Sequence, residues 1–212
     1  LGGSAVAAGG YLAYTRWKYD TDADEKPERD LNETKIELPS EPPTPNSTGY
    51  KRINTILPKL RQVAHDTGIP LGLLIGWIAK ESAGKLAETT SLDERGYFQL
   101  MPSESKALGL DHIELSTDSD YSITGGTKLI QRYIKKANQL QVALPETSYF
   151  WRLVKLLHTM GSGAVKKIIN QAKNSNATHS WETLRQHAID NNETYLHLTK
   201  HSPKKWFPLV DA

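Results

Sequence analysis

From Tyr50 onward apolar residues recur at three- and four-residue spacing, with Ile53, Ile56, Leu57, Leu60, Val63 and Ala64 on one side of a helical period. Such a stripe marks an amphipathic helix with one face turned to a core. Gly68 ends the run, and Pro70 stands where a first helical turn tolerates proline. A second, more apolar helix is therefore expected through Leu73, Leu74, Trp77 and Ile78 to Glu81. The same periodicity predicts helices over residues 102–108, 123–139, 145–160, 163–173 and 181–200. Residues 86–100 lack it, so any sheet belongs there. The expected fold class is mainly α, with at most a small irregular β region near 86–100, and no long internal repeat is visible.

Upstream of residue 50 the pattern changes. Residues 1–14 are small and apolar, and Thr15, Arg16, Trp17, Lys18 and Tyr19 follow. The run is shorter than the roughly 20 apolar residues that span a bilayer. With its aromatic and basic border it reads as the end of a membrane anchor or signal segment, or else as a loose amphipathic start. Between residues 20 and 46 nine acidic residues face three basic ones, a net −6 in a chain of net +2, so the remainder carries +8. Prolines 39, 42, 43 and 45, few apolar residues and no period make residues 20–49 a disordered tether. The expected folded domain is 50–212, ending in a helical C-terminal extension.

Composition narrows the chemistry. Five Trp and nine Tyr supply apolar surface for a core. The absence of cysteine excludes disulfides, thiol nucleophiles and cysteine-bound metals. The seven histidines are scattered without metal-ligand spacing, so no metal and no cofactor is implied. A net +2 is too small to indicate nucleic acid. The basic body suits a polyanionic partner, or is simply a surface of solvated lysines.

Glu81 closes an apolar helix face, four residues after Trp77 and three after Ile78, so the three share one side. A carboxyl there is partly desolvated, which favours its protonated form and suits a general acid. The plainer alternative is a helix-end glutamate pointing into water. The surrounding motifs weigh against that alternative. Glu81-Ser82 is followed, after an irregular stretch, by Gly96-Tyr97-Phe98-Gln99-Leu100-Met101-Pro102-Ser103 and then Ala107-Leu108-Gly109.

In that order these pieces resemble the soluble lytic transglycosylase (SLT) domain family of the lysozyme-like superfamily. The family pattern is a helix ending in Glu-Ser, a glycine-led segment ending in Gln-Leu-Met-Pro, and a short helix into Ala-Leu-Gly. The resemblance continues through Ile123, Gly126, Leu129 and Ile130. It ends at residues 157–165, where Leu157-His158-Thr159-Met160-Gly161 aligns with the family's Ala-Tyr-Asn-Ala-Gly. Two departures mark a divergent member: His158 and Thr159 replace the family's Tyr and Asn, and Gly96-Tyr97-Phe98-Gln99 replaces Gly-Leu-Met-Gln.

The resemblance implies a lysozyme-like helical domain that cleaves the glycan strands of peptidoglycan, with Glu81 as acid and base. On that basis Ser82 orients Glu81 or the substrate, Gly96 lets a sugar approach closely, Tyr97 or Phe98 stacks on a sugar face, with Phe98 as plain core the alternative, and Gln99 lines the groove. His158, with Thr159 beside it, either donates a hydrogen bond toward Glu81 or is a structural histidine. Asp93 and Glu94 are expected as surface turn residues; were either a second carboxylate at the bond, hydrolysis by water would follow. The expected partners are peptidoglycan strands and not nucleic acid, with membrane anchoring through the N-terminal segment and service to a secretion, pilus or phage machine. The corresponding location is the periplasm or cell envelope, inner-membrane anchored, with secretion as the alternative. An inactive wall-binding module is the reading from a different class.

Overall fold

The computed structural model describes residues 48–144 and 147–211. The anchor reading of residues 1–19, the tether as far as residue 47, and Pro145, the expected start of one helix, lie outside the described residues. Two compact units divide the rest, 48–129 and 130–211. The family-like fold is mostly helical, and its strand-like structure among the described residues consists of isolated bridges.

In the first unit, α1 (Thr48–Thr67) buries Ile53, Ile56 and Leu60, the expected stripe. Pro58 lies inside it on the exposed side, where the carbonyl that loses its N–H partner faces water. Gly68, at φ 70°, donates its N–H to the Ala64 carbonyl at 3.0 Å and ends the helix in the left-handed conformation that glycine adopts readily. α2 (Leu71–Ser82) begins one residue after Pro70, whose carbonyl accepts the N–H groups of Leu73 and Leu74. α3 (Pro102–Ala107) has proline in its first turn, and the Glu104 carboxylate accepts the Met101 N–H at 2.9 Å. A 3₁₀ turn (Glu114–Ser116) precedes α4 (Ser119–Leu140). α4 starts four residues earlier than periodicity predicts, because the Asp118 carboxylate accepts the Tyr121 N–H at 2.7 Å and so caps the helix. Between α2 and α3 the chain turns back on itself. Arg95 and Leu100 exchange both backbone hydrogen bonds, and Arg95 also bridges Thr89. α4 passes from the first unit to the second at Leu129 and Ile130.

The second unit contains α5 (Ser148–Met160), α6 (Ser162–Asn174), α7 (Trp181–Asp190), α8 (Asn192–Thr199), α9 (Pro203–Trp206) and α10 (Pro208–Asp211). Thr147 caps α5 through the Phe150 N–H, and Ser180 caps α7 through the Thr183 N–H. The helix expected over 181–200 is two helices. The chain leaves the helical path at Asn191, with φ −99° and ψ 27°, although its backbone N–H and its side-chain amide both donate to the His187 carbonyl, at 3.1 and 2.8 Å. α6 packs against α5, α7 and α8 around Leu153, Val154, Leu157, Val165, Ile168 and Leu184. Trp181 stacks on Phe207 at 5.2 Å, and both are buried together with Trp206. The C-terminal segment therefore completes the core of this unit.

Candidate active site

α2 is apolar because it lies inside the first unit: Leu74, Trp77 and Ile78 are buried. One turn further along the same side, Glu81 is 2% exposed. The helix stops directly after it, with Ala83 left-handed at φ 50° and Gly84 at φ 74°. α1 presses on this end. A Cβ on Gly84 would stand 2.9 Å from the Arg52 Cβ, one on Gly49 would stand 3.3 Å from the Ala83 carbonyl oxygen, and an Arg52 guanidinium N–H donates to that carbonyl at 3.2 Å. The backbone carrying Glu81 is thus held by close packing and by a charge-assisted bond. Burial pushes the neighbouring Lys80 ammonium below its usual range, while the negative charge of Glu81 pulls it back up.

Ser82 is buried, and its hydroxyl donates to the Tyr97 carbonyl at 2.9 Å, with a longer contact to the Ile78 carbonyl at 3.3 Å. A hydroxyl has one proton to give. Ser82 therefore joins the end of α2, which carries Glu81, to the glycine segment. Ser82→Ala leaves a buried carbonyl short of a partner and is expected to cost about 1–3 kcal/mol, read as a lower urea midpoint at unchanged m-value.

The glycine segment is packed inside the first unit. Gly96, at φ 76°, has protein where a sugar was expected: a Cβ there would come to 2.4 Å from both the Leu115 carbonyl oxygen and the Ser122 hydroxyl. Phe98 is fully buried against α4, where a Cβ on Gly126 would overlap its ring at 2.0 Å, so no face is left for stacking. Gln99 is also fully buried, and its amide donates to the Gly96 carbonyl at 2.8 Å and the Glu88 carbonyl at 3.0 Å. It clamps the turn instead of lining a groove. Tyr97 is placed differently. Its backbone N–H is held by the Ser122 hydroxyl at 2.9 Å and its phenol oxygen lies 3.2 Å from the Ser119 hydroxyl. The residue lines an open groove of about 560 Å³ together with Arg52, Thr55, Gly84, Lys85 and Glu88.

The acidic pair expected in a surface turn separates. Asp93 is a turn residue at φ 56°, half exposed, bonded to the Arg95 guanidinium at 2.8 Å. His112 Nε2 contacts its carbonyl oxygen at 2.6 Å, and Nδ1 lies 2.8 Å from the Ser105 hydroxyl. Glu94 is 0% exposed, with the Thr90 hydroxyl donating to its carboxylate at 2.8 Å. Glu94 is a buried carboxyl, contrary to expectation.

His158 and Thr159 belong to the second unit, near the end of α5. His158 is buried edge-on to Tyr133, with ring centroids 5.6 Å apart. The Thr159 hydroxyl donates to the Lys155 carbonyl at 2.9 Å. Lys136 lies 5.7 Å from the Tyr133 ring centre, and burial, followed by repulsion from Lys166, lowers its ammonium to about 8. Glu81, Ser82 and residues 96–99 thus share one unit, and His158 and Thr159 share the other.

Periodicity and motif missed the groove, because Arg52, Lys85 and Glu88 belong to no motif. Its one signal in the sequence is Gly84, three residues past Glu81, a small residue where a loop crosses a helix closely. In comparison with known proteins, the family model described as Transglycosylase SLT domain matches residues 60–180. No curated protein and no solved structure gives a significant match.

Proposed function

The chain belongs to the transglycosylase SLT domain family, and from that premise we propose that it is a peptidoglycan lytic transglycosylase with Glu81 as its one acid and base. Family membership supports a lysozyme-like fold and a transglycosylase acting on cell-wall peptidoglycan. The proposal adds the bond, the product and the residue. The bond is the β-1,4 link between N-acetylmuramic acid and N-acetylglucosamine. The Glu81 carboxyl gives its proton to the glycosidic oxygen as that bond breaks. The resulting carboxylate then takes the proton of the C6 hydroxyl of the same muramic sugar, whose oxygen bonds to C1 and closes a 1,6-anhydro ring. Glu81 ends as it began, and no water is consumed. A glycosidase that uses water or a protein nucleophile needs two carboxylates; here the nucleophile is tethered to the substrate, so orientation replaces the second one.

The observation that carries this reading is the 2% exposure of Glu81 at the end of an apolar helix. Withdrawal from water favours the neutral carboxyl that a general acid requires, against the pull of the neighbouring Lys80 ammonium toward the charged form. The test is digestion of purified peptidoglycan and weighing of the released muropeptides. Anhydro ends, one water lighter than hydrolytic products, support the proposal; ordinary reducing ends overturn it. Retained binding with no turnover would instead favour a wall-binding module.

A second reading, a lysozyme-type hydrolase, requires a second carboxylate at the bond, and Glu94, buried and held by the Thr90 hydroxyl, is the carboxyl on which it is tested. Under the transglycosylase reading Glu94→Gln keeps the anhydro product and lowers kcat by less than about tenfold, far short of the 10²–10⁴-fold contribution of a general acid or base. A hydrolase using Glu94 would lose its reducing-end product in that variant.

A wall substrate puts the proposed site of action in the periplasm or cell envelope, with local wall opening for a secretion, pilus or phage machine as the role. No helix among the described residues is long and apolar enough to cross a membrane. Attachment to a membrane rests on the composition of residues 1–19 alone.

A further inference from the structure

Charge is divided unevenly along the chain. Residues 48–129 hold nine basic and ten acidic residues, whereas residues 130–211 hold twelve basic and five acidic, a net +7. Within the second unit that charge is concentrated further. The last part of α4, from residue 130 to Leu140, and the whole of α6 contain no Asp or Glu. Lysine side chains connect the two: the Lys173 ammonium donates to the Leu140 carbonyl at 3.0 Å, and Lys166 lies close enough to Lys136 to repel its charge. Lys167 reaches the other way, to the Leu198 carbonyl of α8 at 3.2 Å. An ammonium has three protons to donate, so each of these contacts leaves others for a ligand. Lys135, Lys166, Lys167 and Lys173 are exposed, and none of them forms an ion pair among the described residues. The result is a basic face without carboxylates, in which like charges are neighbours. An anion carrying several charges neutralises it as a unit.

The chain itself supplies such an anion. Residues 20–46, which precede α1, carry a net −6, and their densest part, Asp20-Thr21-Asp22-Ala23-Asp24-Glu25, has four carboxylates in six residues. Six extended residues cover about 20 Å, which matches α6, whose 13 residues rise about 20 Å. The 22 residues between Glu25 and Thr48 reach up to about 75 Å. We propose that this acidic segment docks on the basic face of α4 and α6 and screens it from other polyanions. Because it belongs to the same chain, the segment is presented at an effective concentration of about millimolar, so contacts too weak to hold a free peptide suffice. The inference does not depend on the transglycosylase reading.

The test is zero-length carbodiimide coupling of the whole chain at low micromolar concentration, with mass spectrometry of the linked peptides. Amide links from residues 20–25 to Lys135, Lys166, Lys167 or Lys173 of the same chain are expected. Salt at about 1 M lowers their yield about tenfold, because the screening length falls to about 3 Å. Lys135→Glu combined with Lys166→Glu, both exposed, lowers the links to Lys167 and Lys173 by about tenfold, since like charges now face the segment. A second measurement uses the segment. Asp20→Asn, Asp22→Asn, Asp24→Asn and Glu25→Gln together uncover the face and raise its affinity for poly-glutamate by about tenfold, the factor for a site otherwise nine-tenths covered. The proposal is overturned if these lysines take no link from the segment, or if links fall equally on Lys51, Lys59 and Lys106 of the first unit. Links that join only separate chains overturn it in favour of contact between copies. Poly-glutamate binding that is equal in the wild type and the amide variant overturns it as well, and equal sedimentation of both with phosphatidylglycerol vesicles would give the face to a lipid surface instead.

Discussion

Glu81→Gln is expected to lower kcat for glycan cleavage by about a thousandfold, within the range a positioned general acid and base supplies, while the chain stays folded. Glutamine matches glutamate in shape, so the packing around Trp77 and Ile78 is kept, and it has no acidic proton to give to a leaving oxygen. Removing an ionisable group that is 2% exposed also removes the cost of charging it in a poorly solvated place, so the melting temperature holds or rises. Turnover on insoluble peptidoglycan and thermal unfolding of the same preparation check both halves. Glu81→Asp separates position from chemistry: it keeps the acid but withdraws it by a methylene, and a misplacement of that size costs about a hundredfold. Pull-down with insoluble peptidoglycan by the glutamine variant, at wild-type level, would show that the loss lies in chemistry rather than in binding.

The second large effect concerns the fold around the site. Gly96→Ala is expected to destabilise the chain by about 2–5 kcal/mol, combining the left-handed penalty at φ 76° with overpacking. The new methyl would meet the Leu115 carbonyl oxygen and the Ser122 hydroxyl at 2.4 Å. The first is backbone and cannot rotate aside. The second holds the Tyr97 N–H, and the Tyr97 carbonyl in turn holds Ser82 beside Glu81. The damage therefore passes from a turn to the end of α2, beside Glu81. Gly163→Ala is the matched control: it is exposed in α6 with nothing within 4 Å of the added methyl, and is expected to be neutral or to stabilise by up to about 1 kcal/mol. Urea unfolding of the two variants compares them directly.

Much of the fold is legible in the apolar spacing. α1 and α2 follow from it almost to the residue, since an amphipathic stripe and a glycine stop are local signals. Where a cap decides, spacing misleads: Asp118 starts α4 early. The candidate site is legible to a different degree. An ordered set of motifs suffices to name the family, and Glu81 is the residue proposed from it. What each motif residue touches is set by distant partners. Gly96 is small for the sake of Leu115 and Ser122, Phe98 faces Gly126, and Gln99 bonds the carbonyls of Gly96 and Glu88. None of those partners can be read from the motif. Glu94 shows the same limit, since a charged residue in an irregular segment looks solvent-exposed until Thr90 is found holding it inside.

The most direct measurement is digestion of peptidoglycan in heavy-oxygen water, with mass spectrometry of the new muramic ends for the wild type and Glu81→Gln. Closure of the ring by the sugar's own C6 hydroxyl predicts anhydro ends that carry no solvent oxygen, formed by the wild type and lost in the variant. Ends that incorporate solvent oxygen, or anhydro ends formed equally fast by both proteins, would contradict the account.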